Sequence, residues 1–175
     1  MIRSFNGKTP KIAESAFISE AAYVIGDVEI GENSSVWPGA VIRGDLGKIK
    51  IGKNTVIEDN CVVHSGTPAQ PPIMDVTIGD NVIMGHGAVS NGRRIGNNVI
   101  ISMKSTILHD AEIGDYSVIA AGCVVKEKMK IPDRSFVVGV PAEIKGELSS
   151  EQLWWSQNSP KIYQQLAQQY KNEGL

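Results

Sequence analysis

Aliphatic residues return every six positions over most of this chain, and that spacing limits its fold more than any other feature. Ile12, Ile18, Val24, Ile30, Val36 and Ile42 form one such series, which Ile51, Ile57 and Val63 resume after a three-residue phase shift. Ile83, Val89, Ile95, Ile101, Ile107, Ile113, Ile119, Val125 and Ile131 read as its uninterrupted continuation. A small side chain stands four residues after most of these, as at Ala16, Ala40, Cys61, Ser105 and Cys123. An amphipathic helix repeats its apolar stripe every ~3.6 residues, and a half-buried strand every ~2. A period of six fits neither. It describes a coil of short strands and corners in which each aliphatic side chain points inward, with successive coils stacked as parallel strands about 4.8 Å apart. The small residue occupies the corner, where bulk would not fit. The sequence therefore predicts an all-β parallel β-helix of hexapeptide repeats over residues 1–146.

Two segments break the phase. "RGDLGKIK" lies within 42–51, and "SGTPAQPPIMDV" spans 65–76 with prolines that cannot extend a ladder. Both read as loops leaving one side of the solenoid, where such excursions often carry function. After Pro141 the repeat stops. "SSEQ" at 149–152 has the pattern of a capping box, and Ser159-Pro160 predicts the start of a second helix. Ile162, Tyr163, Leu166, Ala167 and Tyr170 then form one apolar stripe. Residues 147–175 are thus expected to form helices packed on the β-helix or on a neighbouring subunit, with Trp154 and Trp155 in the same packing.

A net charge of −2 and a pI near 5.9 offer nothing to nucleic acid or an anionic membrane. The longest strongly apolar run, "VIAAGCVV" at 118–125, is too short to span a bilayer. Met1 to Asn6 has no apolar signal-peptide core, and Cys61 and Cys123 make no disulfide framework. The expected setting is cytoplasmic, with no nucleic-acid or membrane partner.

Two of the chain's three histidines sit in glycine-flanked segments: His64 in "VVHSG", and His86 in "MGHGAVSN" with Asn91 five residues later. With "SVWPGAVIRGD" (35–45), "VIEDNCVVH" (56–64), "MGHGAV" (84–89) and "FVVGVPA" (136–142), the sequence resembles the γ-class carbonic anhydrase family over nearly its whole length. The resemblance implies a left-handed β-helix, a homotrimer and a metal at each subunit interface, zinc or in some members iron or cobalt. In the family three histidines hold that metal, two from one subunit and one from its neighbour. His64 matches the first, His86 matches the one supplied across the interface, and the third falls on Asn91. Glu58 stands where the family usually carries glutamine, and Val56 where it often carries asparagine. Arg43 and Asp45 match the pair that ties subunits together beside the metal.

Three neutral imidazoles leave a zinc ion its full charge to lower the pKa of water, and the hydroxide so formed attacks carbon dioxide. Asn91 is a harder and weaker donor than imidazole. Glu58, ionised nearby, would partly neutralise the metal, or would replace the lost donor by ligating it. Counted by sixes, His109 lies one coil after Asn91 and is expected to stack on it, which makes it a candidate substitute ligand; the alternative is a surface histidine. The candidate site is therefore Arg43, Asp45 and Glu58 for catalysis, with His64, His86 and Asn91 for metal. Its implied substrate is carbon dioxide or bicarbonate. Two rivals stay open. One is a hexapeptide-repeat acyltransferase or thioesterase acting on acyl-CoA, with His86 or His109 as general base and Lys126, Lys128 and Lys130 as the candidates for the CoA phosphates. The other is a non-catalytic family member.

Overall fold

The computed structural model describes residues 1–66 and 75–175. Short strands stack coil upon coil in parallel register. Ser35–Val36 lies on Val56–Ile57, which lies on Ile83–Met84, which lies on Ile100–Ile101 and then Val118–Ile119. Inward-facing Ile42, Ile57, Ile101, Ile107 and Ile119 are fully buried along the axis, and Ala40, Cys61, Ser105, Ala111 and Cys123 are equally buried at the corners. The solenoid and its corner residues are as the six-residue period predicts. One column of corners takes left-handed backbone, with φ between 55° and 60° at Asn33, Asn54, Asn81, Asn98, Tyr116 and Arg134. Asparagine tolerates that conformation best among residues with a side chain, which accounts for four of the six.

The period slips once where the sequence showed no break. Met84 and Ser90, rather than Ile83 and Val89, face the core in this coil; Ser90 pairs with Val63 below and Ile107 above. The step from Ser90 to Ile95, both inward, is one residue short, and the corner between them is Asn91-Gly92-Arg93. Gly92 permits the tight corner, since a Cβ there would stand 2.8 Å from Ile107 Cγ2. In consequence the residue after Ser90, Asn91, lies level with Leu108 and not with His109. The expected Asn91–His109 stack is absent because it assumed an unbroken count.

The expected loop over 42–51 is instead one strand, Val41–Ile51, paired with Tyr23–Ile30 and carrying its extra residues as an irregularity opposite Gly26/Val28. Both strands turn a corner of the coil. The second expected loop, at 65–76, falls mostly on 67–74, outside the described residues. Strands Ser135–Val138 and Glu143–Glu147 pair antiparallel at the C-terminal end of the solenoid.

A single helix, Ser150–Asn172, replaces the two expected. The Ser149/Gln152 capping box is present, and Pro160 lies inside the helix. In the turn before the proline, Ser156, Asn158 and Ser159 side chains donate to the carbonyls of Leu153, Trp154 and Trp155. Those bonds support the turn that the proline ring crowds and deprives of an N–H.

The three walls of the coil present different outward chemistry. The first carries Phe17, Val56 and Ile83, which the helix covers with Tyr163, Leu166, Ala167 and Tyr170 around Trp37. Trp37 meets Tyr163 and Tyr170 edge-on with ring centroids 5.9 and 5.1 Å apart. Such pairs add about 0.5–1.5 kcal/mol each beyond buried area. The second wall aligns Tyr23, Val41, Val62, Val89, Thr106 and Val124, half-buried and with no element over them among the described residues. The third aligns Lys11, Glu29, Lys50, Thr77, Arg94, Glu112 and Lys130, a solvated face of mostly alternating charge.

Candidate metal centre

The candidate residues occupy the two corners that bound the second wall. His64 ends the strand Val62–His64 at one corner, in register with Arg43 on the coil before. Its Nε2 lies 2.9 Å from Asp45 Oδ1, while an Arg43 guanidinium nitrogen approaches Nδ1 at 3.4 Å. Arginine can only donate, so Nδ1 accepts and Nε2 carries the hydrogen given to Asp45. Arg43 Nε and Asp45 Oδ2 are 3.5 Å apart, which closes the group. Asn91 lies on the next coil and donates Nδ2 to the His64 backbone carbonyl at 3.3 Å. That bond anchors the amide, and Oδ1 is the atom it would offer to a metal.

His86 occupies the other corner, just before strand Val89–Ser90, between two carboxylates. Glu58 Oε2 accepts from the His86 backbone N–H at 2.9 Å and lies 3.0 Å from Nε2; Asp59 Oδ2 lies 3.0 Å from Nδ1. Each ring nitrogen thus faces one carboxylate oxygen at hydrogen-bond distance. Glu58 is 4% exposed, so its charge is compensated by these bonds rather than by water. Beside the corner, between the helix and the first wall, lies a cavity of 340 Å³ lined by Glu58, Ile100, Met103, Trp155, Ser159 and Tyr163. The Tyr163 phenol is held well above its ordinary pKa, first by burial and then by its hydrogen bond to Glu58 and that group's charge.

The structure thus brings Arg43, Asp45, His64 and Asn91 together and sets Glu58 and His86 apart from them. Among the described residues no group of three or more His, Cys, Asp or Glu side chains is arranged to hold a metal within one chain. His109 belongs to neither group; among the described residues its ring lies 4.0 Å from the Glu127 carboxylate. Sequence reasoning missed Asp59 and Tyr163. Asp59 follows Glu58 directly and its position on the corner was readable; Tyr163 required knowing which wall the helix covers.

Comparison with known proteins gives the fold and the site a context. The model of the family "Bacterial transferase hexapeptide (six repeats)" matches residues 9–44 and 94–127. "Gamma carbonic anhydrase 2, mitochondrial" of Arabidopsis thaliana is 36% identical over 167 residues, 95% of this chain; the chain spans 60% of that relative's length. A "Probable carbonic anhydrase" of Methanocaldococcus jannaschii is 42% identical over 142 residues, 81% of this chain and 86% of its own. The crystal structure of a hexapeptide transferase family protein from Anaplasma phagocytophilum superposes with a TM-score of 0.89 at 33% identity, covering 97% of each chain. The coil is accordingly the left-handed β-helix of these proteins. With its hexad core, its paired histidine corners and these likenesses along almost its whole length, the chain belongs to the γ-carbonic-anhydrase-like family of hexapeptide-repeat proteins.

Proposed function

We propose that the chain assembles as a homotrimer and hydrates carbon dioxide reversibly at a divalent metal, zinc or iron, held between subunits. The observation that carries this reading is the second wall. No described element covers its apolar column, which is bounded by His86 on one side and by His64 and Asn91 on the other. A cyclic arrangement that buries the wall brings the His86 corner of one subunit to the His64 corner of the next, a heterologous contact that closes as a ring. Neither corner suffices alone.

His64, Asn91 Oδ1 and a neighbour's His86 make a donor set of two imidazoles and one carbonyl oxygen. That set fits a divalent ion, more weakly and with a harder preference than three imidazoles. When bound, such an ion supplies Lewis acidity that brings the pKa of water toward neutrality. Asp45 fixes the His64 ring through Nε2, and Arg43 holds Asp45 in turn. Ligation exchanges one of the existing contacts on each ring. Glu58 orients His86 from its own subunit and serves as proton acceptor beside it. The buried, free thiols suit a reducing compartment such as the cytoplasm. The test is sedimentation of the purified protein together with stopped-flow carbon dioxide hydration: a trimer with metal-dependent activity is expected, and a monomer, or hydration indifferent to metal, contradicts the reading.

One observation favours a second reading, chemistry on acyl-CoA: the cavity beside His86 is largely apolar and of a size that takes a small organic ligand. Thermal stabilisation by acetyl-CoA would favour this reading, and by zinc the first.

A further inference from the structure

The cavity beside His86 joins an apolar surface to one buried carboxylate. Ile100, Met103 and the Trp155 indole supply hydrocarbon and aromatic surface, and Met103 (53% exposed) and Trp155 (46% exposed) stand open to water. Glu58 supplies the charge, with only 6% of its side chain exposed. Its carboxylate accepts the His86 backbone N–H and the Tyr163 hydroxyl hydrogen, and meets His86 Nε2. Two carboxylate oxygens offer about four acceptor sites, so capacity remains for a further donor. Asp59 adds a second carboxylate to the same imidazole. Even a fully protonated ring therefore leaves the corner with net negative charge. Lys104, next on that corner, gives its backbone N–H to His86, but its side chain pairs with neither carboxylate. Among the described residues no lysine or arginine lines the cavity.

We propose that this cavity binds a small organic ammonium ion, its alkyl part on Ile100, Met103 and Trp155 and its N–H groups directed to Glu58. Charge complementarity sets the class of ligand. A hydrogen bond between two ionised groups is stronger than one between neutral groups, and aromatic rings attract a cation placed over their faces. A ligand carrying its own carboxylate would meet Glu58 as a like charge, and a neutral one would leave the negative corner unmatched. The volume of 340 Å³ is at the small end of the roughly 300–1,000 Å³ typical of ligand sites, which suits a short alkyl chain. Every lining residue belongs to one chain, so binding requires neither the trimer nor the metal. The acyl-CoA reading places an uncharged acyl chain in the same space, and the two exclude each other.

The experiment is a ligand-observed NMR titration of the full chain with n-butylammonium, with butan-1-ol as its neutral counterpart and butyrate as its anionic one. Butylammonium should bind at least tenfold more tightly than butanol, and butyrate more weakly than either. Glu58→Gln keeps the shape of the side chain and removes its charge. It should bring the ammonium to within about twofold of the alcohol, with circular dichroism unchanged. Trp155→Ala, at a half-exposed position, should weaken the ammonium and the alcohol together, which locates the binding. An alcohol that binds as tightly as the ammonium, no binding by either, or a preference that survives Glu58→Gln overturns the proposal. Acetyl-CoA binding in place of the ammonium overturns it in favour of the acyl-CoA reading. Metal content and oligomer mass are read separately, so none of these failures touches the metal reading.

Discussion

Asn91 gives its side-chain N–H to the backbone carbonyl of His64, one coil below, at 3.3 Å. The carboxamide is thereby part of the same corner as the first histidine, with only its oxygen free to ligate. Restoring an imidazole at this position should strengthen the site. Asn91→His is expected to raise zinc affinity by about tenfold or more, read by competition with a chromophoric chelator. Equal or weaker affinity would show that position 91 lies outside the ligand set.

His86 stands at the opposite corner and His109 at neither. His86→Ala should abolish metal binding and carbon dioxide hydration while the trimer persists in sedimentation. His109→Ala should leave metal content unchanged, because the short corner at 91–93 places that residue out of line with Asn91. Metal lost from the His109 variant, or kept in full by the His86 variant, contradicts the assignment.

Gly92 tests the short corner itself. Its backbone is not left-handed, so Gly92→Ala acts chiefly through Ile107 Cγ2, 2.8 Å from the new methyl group, with Ala111 O next at 3.4 Å. The expected cost is about 1–3 kcal/mol in denaturant unfolding. A neutral effect would mean that the coil relaxes there freely.

Cys61 predicts an alkaline limb in stability. Burial pushes its thiol from the ordinary 9.0 up to about 12. In the unfolded chain the thiol ionises near 9.0, and in the folded one only near 12. The contribution is therefore complete below pH 9.0 and is lost as pH rises toward about 12. Cys61→Ala should flatten that decline in unfolding free energy measured across the interval; an unchanged slope assigns it to other groups.

Much of the fold was legible because a solenoid writes its core into the sequence as a period. Ile42, Ile57 and Ile107 each declare an inward position, and Ala40 and Cys61 a tight corner. The count failed at Ile83 and Val89 because aliphatic residues face outward there too: Ile83 meets the helix, and Val89 belongs to the uncovered wall. A hexad tally cannot separate the two faces of a strand when both are apolar. The phase shift after Ile42 is real and has the signature of a loop, yet backbone pairing absorbs the extra residues. Within the candidate site, His64, His86 and Asn91 were singled out by segments that resemble the γ-class family, not by the hexad period. The carboxylate pair around His86 was not, since it depends on the corner that sets Glu58 and Asp59 against the following coil.

On the proposed function, two corners of different subunits together hold one divalent metal. Elemental analysis tests it most directly, on protein purified without chelator or affinity metal and protected from air, with the oligomer mass read on the same sample. Close to one zinc or iron per subunit in a trimer is the expected result. A trimer without metal, even after equilibration with zinc and with ferrous iron, would contradict it.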